Sequence, residues 1–335
     1  MNNVFYFKDI NSIGGVESFF YYLAKKYDFK IYYKTGDPEQ VKRLAKYVEI
    51  HKYKEPIKCD RFFCNYGLDI EVEAKEKYHI VHCDYKQVWF KPILYEGFKY
   101  IGVSKLACDS FKELTGKDIE LIYNPLSVDK KGVSKYNDNK LHLISATRLT
   151  REKGLDKMIH LARLLDNARI NYEWLIYTNK KKQIIGNKVI YKDTKLDITE
   201  EIEKADYLVQ LSDCEAYCYS VVESLMVGTP VLTTDLPVFK ELGLDDSNSI
   251  KYSENMDVSK LLEKKKFNYE PPKDTWTKYL PTKKEYNPKE LVKVRAKRKY
   301  TDIELDRSID RGKVFETTKE RASYLENKEL IEWLY

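Results

Sequence analysis

The sequence contains no long hydrophobic run. Over its 335 residues, no window approaches the roughly 18 uninterrupted apolar residues that a membrane-spanning helix needs. The first residues, Met1 to Ile10, carry polar and charged side chains where a secretory signal peptide needs an apolar stretch. These two features predict an intracellular, cytoplasmic protein.

Cysteine spacing gives no indication of a structural metal site. The six cysteines include no Cys-x₂-Cys pair, and no cluster of histidines lies near them in the sequence. Structural zinc sites typically use such pairs. Because free cysteine usually behaves as a small apolar residue, we expect reduced and mostly buried thiols.

Neither sign of charge is in large excess. The chain has 59 Lys and Arg residues against 53 Asp and Glu residues, a net charge of +6. This balance does not indicate a uniformly basic protein that coats nucleic acid. Hydrophobic residues make up 43% of the chain, which excludes global disorder. The length suggests two domains of about 100–200 residues each, with room for a small appendage.

Strand and helix patterns alternate along most of the chain. Short apolar runs such as Val4 to Phe7 and Tyr100 to Val103 are of strand type, and Val16 to Lys26 is amphipathic. The alternation restarts at Leu141 after a polar linker at residues 126–139. Strands that alternate with helices predict parallel sheets covered by helices. We therefore expect two doubly wound α/β domains that face each other.

The places where this alternation stops predict the domain boundaries. The first domain spans residues 1–128 and the second spans residues 138–256. Residues 257–290 form a basic connector with four prolines; the segment 257–299 has 14 Lys or Arg residues against 6 Asp or Glu residues. Residues 291–335 form a small α+β domain, because an alternating run is followed by a turn and a helical stretch.

Two glutamates seven residues apart mark the candidate site of the second domain. Glu215 precedes the helix predicted at Ser220 to Val227, and Glu223 lies within it. Ligands of doubly wound sheets bind at the C-terminal ends of strands. The first turn of a helix offers unpaired N–H groups to a phosphate, and Glu223 lies where a carboxylate can accept hydrogen bonds from a ribose. We expect ligand contacts also from Tyr217, Cys218 and Tyr219.

Two cations follow the first strand of the second domain. Arg148 and Lys153 lie between the strand Leu141 to Ser145 and a helix that begins after Gly154. Cations at the C-terminal end of a strand can neutralise a diphosphate and then the charge of a leaving group.

These segments together resemble the retaining GT-B glycosyltransferases of family 4, over roughly residues 141–245. The resemblance implies a GT-B fold, in which two Rossmann-like domains hold a nucleotide-sugar donor between them. It also implies a role for each charged residue: Arg148 and Lys153 stabilise the diphosphate, Glu215 binds hydroxyls of the transferred sugar, and Glu223 holds the ribose.

The first domain resembles the family more loosely. Gly14 and Gly15 precede a helix, as in the glycine loop whose backbone approaches the donor phosphates, although an ordinary turn is the alternative. His82 resembles the family's strand-end histidine near the reacting sugar, although a structural histidine is the alternative. Cys218 departs from the pattern, because many members have glycine there.

The resemblance implies a hexosyl- or N-acetylhexosaminyl-type transferase that retains the anomeric configuration and most often uses UDP. We expect no metal and no other cofactor, because no D-x-D motif lies in a fitting place and two cations can replace a metal. The acceptor stays open among a protein, a cell-wall polymer, a lipid-linked sugar and modified DNA. Two alternatives remain: a non-catalytic nucleotide-sugar or glycan-binding module, and a nucleic-acid-binding protein that uses residues 257–299.

The C-terminal tail resembles a small accessory domain of phage and prophage structural proteins. The resemblance lies in segments such as Tyr300 to Asp302 and Asp310 to Glu316. The origin stays open between host and phage, with a location in the host cytoplasm if the protein is phage-encoded, and this domain is a candidate surface for an oligomer. The alternative is a cap that packs on the main body.

Overall fold

The structure is a computed structural model that describes residues 2–11, 13–179, 185–283 and 286–334. Within these ranges the chain forms two parallel α/β domains and a small antiparallel unit. No helix in the described part of the chain is long and apolar enough to cross a membrane. All six cysteines are free, and Cys64 and Cys108 are buried while the other four are half-buried.

The first domain is built on a parallel sheet. Its elements in chain order are β1 (Asn3–Tyr6), β2 (Asp9–Ile10), α1 (Gly15–Lys26), β3 (Lys30–Tyr33), β4 (Thr35–Gly36), α2 (Pro38–Ala45), β5 (Glu49–Lys52), β6 (Ile57–Cys64), β7 (Val72–Val81), β8 (Phe98–Gly102), α3 (Lys105–Thr115) and β9 (Ile119–Leu121). The sheet order is β5-β3-β1-β6-β7-β8-β9, and each neighbouring pair is parallel. The chain changes direction across the sheet between β1 and β6, so the loops that follow these strands diverge and open a crevice.

Side-chain caps set the starts of two helices in this domain. Ser104 begins α3, since its Oγ accepts a hydrogen bond from the N–H of Ala107 at 3.1 Å. Asp37 begins α2 in the same way through the N–H of Gln40 at 3.0 Å. Such caps contribute about 1 kcal/mol each.

The second domain repeats the arrangement. Its elements are β10 (Leu141–Ala146), α4 (Leu155–Asn167), β11 (Tyr172–Tyr177), β12 (Val189–Lys192), α5 (Thr199–Lys204), β13 (Tyr207–Gln210), α6 (Tyr219–Met226), β14 (Val231–Thr233), α7 (Pro237–Glu241) and β15 (Ser249–Lys251). The parallel sheet has the order β12-β11-β10-β13-β14-β15. Its direction reverses between β10 and β13. The prediction of two doubly wound domains is confirmed.

The segment 257–290 is more than a connector, because its middle belongs to the core of the first domain. Trp276 is fully buried there, with ring centroids 5.6–6.1 Å from those of Phe5, Phe19 and Phe63. Burying a side chain of this size contributes several kcal/mol through loss of apolar surface. The chain therefore leaves the second domain and returns to anchor itself in the first.

The aromatic residues of this basic segment are occupied by the body of the protein. Besides the buried Trp276, the Tyr269 hydroxyl donates to the carbonyl of Leu242 at 2.7 Å, and the Tyr279 hydroxyl donates to Glu120 at 2.5 Å. Nucleic-acid-binding segments use exposed aromatic rings to stack on bases. These three rings are therefore not available to stack on bases, which weakens the alternative of nucleic-acid binding.

The C-terminal unit has a small antiparallel sheet and one helix. Its elements are β16 (Leu291–Ala296), β17 (Tyr300–Asp302), β18 (Arg307–Ile309), β19 (Val314–Thr318), α8 (Lys319–Asn327) and β20 (Ile331–Leu334). The sheet order is β19-β16-β20, and β17 pairs with β18 as a separate hairpin. The predicted α+β composition of residues 291–335 is confirmed for its described part.

This unit packs on the first domain. Ser323 and Asn327 on α8 donate hydrogen bonds to the carbonyls of Ile50 and Gly36, at 3.2 and 3.1 Å. The carboxylate of the buried Glu326 accepts hydrogen bonds from the first domain, including one from the N–H of Lys52 at 3.3 Å. The unit therefore packs on the main body of the protein, as the alternative of a cap predicts.

Candidate active site

A cleft of about 760 Å³ lies between the two domains, at the C-terminal edges of their sheets. It is lined by the loops that follow β2 and β7 of the first domain and β10 and β13 of the second, together with the start of α6. All ten site residues expected from the sequence line this cleft: Gly14, Gly15, His82, Arg148, Lys153, Glu215, Tyr217, Cys218, Tyr219 and Glu223.

The sheet topology brings Lys153 to Glu215. The two residues follow β10 and β13, which are neighbours at the point where the strand order reverses. Gly154 makes the close approach possible, because its φ is +81° and a Cβ there would lie 2.1 Å from the carbonyl oxygen of Leu211. As a result, the Nζ of Lys153 lies 2.7 Å from the Oε1 of Glu215.

The environment of this pair keeps Lys153 charged. Burial disfavours its ammonium, but the charge and hydrogen bond of Glu215 outweigh burial and raise the pKa of Lys153. The Oε1 of Glu215 also accepts hydrogen bonds from Ser212 at 2.7 Å and Gln210 at 3.3 Å. All three donors use Oε1, so the described residues leave Oε2 of Glu215 without a hydrogen bond.

Arg148 provides a second cation at the same edge of the sheet. It lies just after β10 with its side chain 64% exposed, and its closest carboxylate among the described residues is Glu152, at 3.8 Å. An exposed guanidinium that has only this loose contact can bind a phosphate with two parallel hydrogen bonds.

Glu223 is bound by a residue that the sequence did not reveal. Its Oε1 accepts a hydrogen bond from the hydroxyl of Tyr22, on α1 of the first domain, at 2.7 Å. Burial raises the pKa of Glu223, and the bond from Tyr22 opposes this. Tyr22 was missed because it lies 201 residues away in a helix whose pattern indicates only a buried face.

The side chains of Tyr217 and Tyr219 hold the domains together. Their hydroxyls donate to the carbonyls of Asn124 and Pro125, at 3.4 and 3.2 Å, at the end of the first domain. Because these hydroxyls already bind the first domain, we expect this segment to contact the nucleotide-sugar donor through its backbone. The prediction that Tyr217 and Tyr219 bind the ligand therefore applies to their backbone and not to their hydroxyls.

Cys218 has a backbone conformation that favours glycine. Its φ is +72°, in the left-handed region, where a side chain costs about 1–2 kcal/mol. Cysteine in place of glycine therefore keeps the left-handed backbone conformation at this position but makes it strained. Burial raises the pKa of the Cys218 thiol to about 12, so it is not a thiolate nucleophile at neutral pH.

The two glycines of the first loop have different roles. A Cβ at Gly14 would lie 2.2 Å from an oxygen of Glu17, whereas a Cβ at Gly15 would meet nothing within 4 Å. Glu17 is the third residue of α1, and its Oε1 accepts hydrogen bonds from the backbone and side-chain N–H groups of Asn11, at 2.9 and 3.1 Å. Gly14 thus makes room for a carboxylate that reaches back to the loop before the helix. Phosphate binding by this loop stays a prediction.

His82 is neutral and faces the cleft. It follows β7 directly, and its ring lies edge-on to Phe19 with centroids 5.0 Å apart. Burial lowers the pKa of His82 to about 3, with His79 contributing. Its Nε2 is buried and has no hydrogen-bond partner among the described residues. Nε2 of His79 accepts a hydrogen bond from the N–H of Tyr66 at 3.3 Å, and His79 does not line the cleft, so His82 is the candidate.

In the described part of the chain, no three or more His, Cys, Asp or Glu side chains are grouped so that they could hold a metal ion. Independence from metal stays a prediction, because only activity measurements can test it.

The second domain matches a known protein family. Residues 129–267 match the family model of glycosyl transferases group 1. The match includes both cations and the pair Glu215 and Glu223. A search of the curated proteins finds no match to the chain.

Solved structures with similar folds include the following three. Anabaena Alr3699/HepE in complex with UDP and glucose is 13% identical, with a TM-score of 0.59, over 75% of this chain and 85% of that one. A glycosyltransferase from Rickettsia africae is 15% identical, with a TM-score of 0.57, over 76% and 85%. WaaG, a glycosyltransferase involved in lipopolysaccharide biosynthesis, is 15% identical, with a TM-score of 0.54, over 77% and 88%. The predicted GT-B fold is confirmed, and the fold and the family match together support a glycosyltransferase.

Proposed function

We propose that this protein is a retaining glycosyltransferase of the family 4 type, which transfers a hexosyl or N-acetylhexosaminyl group from a nucleotide diphosphate, UDP in the first instance, to an unidentified acceptor. The observation that carries the proposal is the ion pair of Lys153 and Glu215 beside Arg148. It lies at the reversal point of the second sheet, in a cleft that both domains line.

The donor would lie across the C-terminal edge of the second sheet. Glu223 holds the ribose, one turn into α6, and the first turn of that helix faces the phosphates. Arg148 and Lys153 bind the diphosphate. Glu215 offers Oε2 to a hydroxyl of the transferred sugar, while its Oε1 stays with Lys153, Ser212 and Gln210.

Bond cleavage would draw on the same cations. When the bond between the sugar and the diphosphate breaks, negative charge builds on the leaving oxygen, and a cation aimed at that oxygen stabilises the transition state more than the ground state. His82 is neutral at physiological pH, so it acts through a hydrogen bond to the sugar or the acceptor and not as a stored proton. No metal is required in this scheme, because two cations provide the positive charge.

A panel of nucleotide sugars tests the proposal. Each donor is incubated with the protein without acceptor, and release of the nucleoside diphosphate is measured. We expect slow hydrolysis of one donor, and its loss in Lys153→Ala. Binding of a nucleotide sugar without hydrolysis, and without transfer to any acceptor offered, would contradict the transferase and support the non-catalytic module.

Three further features stay predictions about the protein in its cell. They are the cytoplasmic location, an oligomer formed through residues 291–335, and the resemblance of that unit to a phage accessory domain. The oligomer is tested by light scattering on the intact protein, where a monomeric mass at micromolar concentration would contradict it.

A further inference from the structure

A tyrosine of the first domain enters the candidate nucleotide site of the second. Tyr22 is 5% exposed, and its hydroxyl donates a hydrogen bond to the Oε1 of Glu223 at 2.7 Å. Its ring stacks on that of Tyr219, with centroids 5.4 Å apart and planes 22° apart. The stacking fixes the ring and thereby the direction of the hydroxyl.

The other carboxylate oxygen of Glu223 is available. Its Oε2 accepts no hydrogen bond from a described residue, and Glu223 lines the cleft. An ionised carboxylate has about four lone-pair sites. Tyr22 and two hydroxyl groups of a ligand can therefore bind Glu223 at the same time.

We propose that Tyr22 is a positioning residue for the nucleotide: by holding the Oε1 of Glu223, it turns Oε2 toward the ribose hydroxyls of the donor. This rests on the proposed function, because it takes ribose as the ligand of Glu223. The bond crosses the cleft, so nucleotide affinity depends on a residue of the first domain that itself need not touch the nucleotide.

The bond also affects the protonation of Glu223. Burial raises the pKa of this carboxyl, and the hydrogen bond from Tyr22 is the largest influence that lowers it. The titratable and charged groups that face Glu223 are Tyr22 on α1, Arg43 on α2, Asp197 before α5, Tyr217 before α6 and Tyr219 at the start of α6. Of the remaining groups, Asp197 raises the pKa of Glu223 and Arg43 lowers it.

Loss of the Tyr22 hydroxyl should change how nucleotide affinity depends on pH. Without the Tyr22 hydroxyl, the pKa of Glu223 rises further, so the carboxyl becomes protonated at a higher pH than in the native protein. A protonated carboxyl is a weaker acceptor for ribose hydroxyls, because charge-assisted hydrogen bonds are the stronger ones. Nucleotide affinity in Tyr22→Phe must therefore fall more steeply as the pH is lowered.

Calorimetry with UDP between pH 5.5 and 8 tests the proposal. We expect Tyr22→Phe to bind UDP about tenfold more weakly than the native protein at the acid end, and with a smaller loss at pH 8. Tyr21→Phe is the matched control: Tyr21 is the adjacent residue on α1, and its ring, which phenylalanine keeps, lies 3.5 Å from the guanidinium of Arg43. This control should bind UDP as the native protein does at every pH.

Glu223 variants separate this proposal from the proposed function. Glu223→Gln cannot ionise, so it should remove the extra pH dependence that Tyr22→Phe introduces. If Glu223→Ala weakens UDP binding but Tyr22→Phe matches the native protein at all pH values, the positioning role is overturned and the ribose role stands. An equal loss in Tyr22→Phe at every pH would support the orientation of Oε2 and overturn the effect of Tyr22 on the protonation of Glu223. If Glu223→Ala binds UDP normally, the ribose role itself fails.

Discussion

Removing the ammonium of Lys153 tests the central catalytic claim. Lys153 and Glu215 are paired at 2.7 Å, with side chains only 20% and 13% exposed, so water shields the pair little. A cation in such a site is worth far more in the transition state than one in bulk water. We expect Lys153→Ala to lower kcat by about 10²-fold or more, roughly 2.7 kcal/mol, with a smaller change in the KM for donor.

The same substitution also has a predictable effect on stability. It leaves Glu215 with hydrogen bonds from Ser212 and Gln210 but without its cation. The loss of one charge-assisted hydrogen bond costs about 1.5–3 kcal/mol of unfolding free energy. Thermal melting must therefore accompany the kinetics, so that a lower rate is not confused with a smaller folded fraction.

Lys157→Ala is the matched control for this experiment. Lys157 is on α4, close to Lys153, and forms an ion pair with Asp213 in the same loop as Glu215, but neither residue lines the cleft. The control should keep kcat within about twofold, because surface pairs contribute at most about 1 kcal/mol to stability and this one lies outside the cleft. Near-native kcat in a folded Lys153→Ala protein would refute the role of the cation.

Four further predictions follow from the site and the fold. Turnover should survive EDTA, and a strict requirement for Mn²⁺ or Mg²⁺ would contradict the role given to the two cations. Cys218→Gly should raise the unfolding free energy by up to about 1 kcal/mol relative to Cys218→Ala in chemical denaturation, because only glycine relieves the left-handed strain. A chain truncated after Tyr286 should be less soluble and melt at a lower temperature, since it uncovers the surface under α8; an unchanged melting curve would argue for an independent domain. Because His82 has a pKa of about 3 when folded and near 6.5 when unfolded, its contribution to stability is intact above pH 6.5 and is lost as the pH falls toward 3; His82→Gln should flatten this part of the profile measured by melting.

Elements with a clear apolar pattern could be predicted closely from the sequence. The strands β11 and β14 begin and end where the pattern places them, because most of their residues are buried, and so does β3, in which buried residues alternate with half-buried ones. By contrast, the apolar pattern indicates only the end of β7, from His79, although the strand begins at Val72. The first half of β7 alternates charged residues with half-buried ones, so its apolar signal is weak. The edge strand β12 was missed for the same reason, since none of its residues is buried.

The candidate site could be predicted where its residues share a local motif. Arg148 and Lys153 belong to one loop, and Glu215 and Glu223 to one strand–helix unit, so their order along the chain carries the signal. The pairing of Lys153 with Glu215 needs the sheet order, and the bond from Tyr22 to Glu223 needs the packing of two domains. No spacing in the sequence encodes contacts of that kind.

The two domains are connected twice along the chain. Residues 126–139 lead from the first domain to the second, and the segment after residue 257 returns until Trp276 enters the first core. Tyr217 and Tyr219 bind the carbonyls of Asn124 and Pro125, at the start of the first connection. The beginning of α6 is therefore fixed to the end of the first domain. Since α6 carries Glu223, these two hydrogen bonds also support the contact between Glu223 and Tyr22.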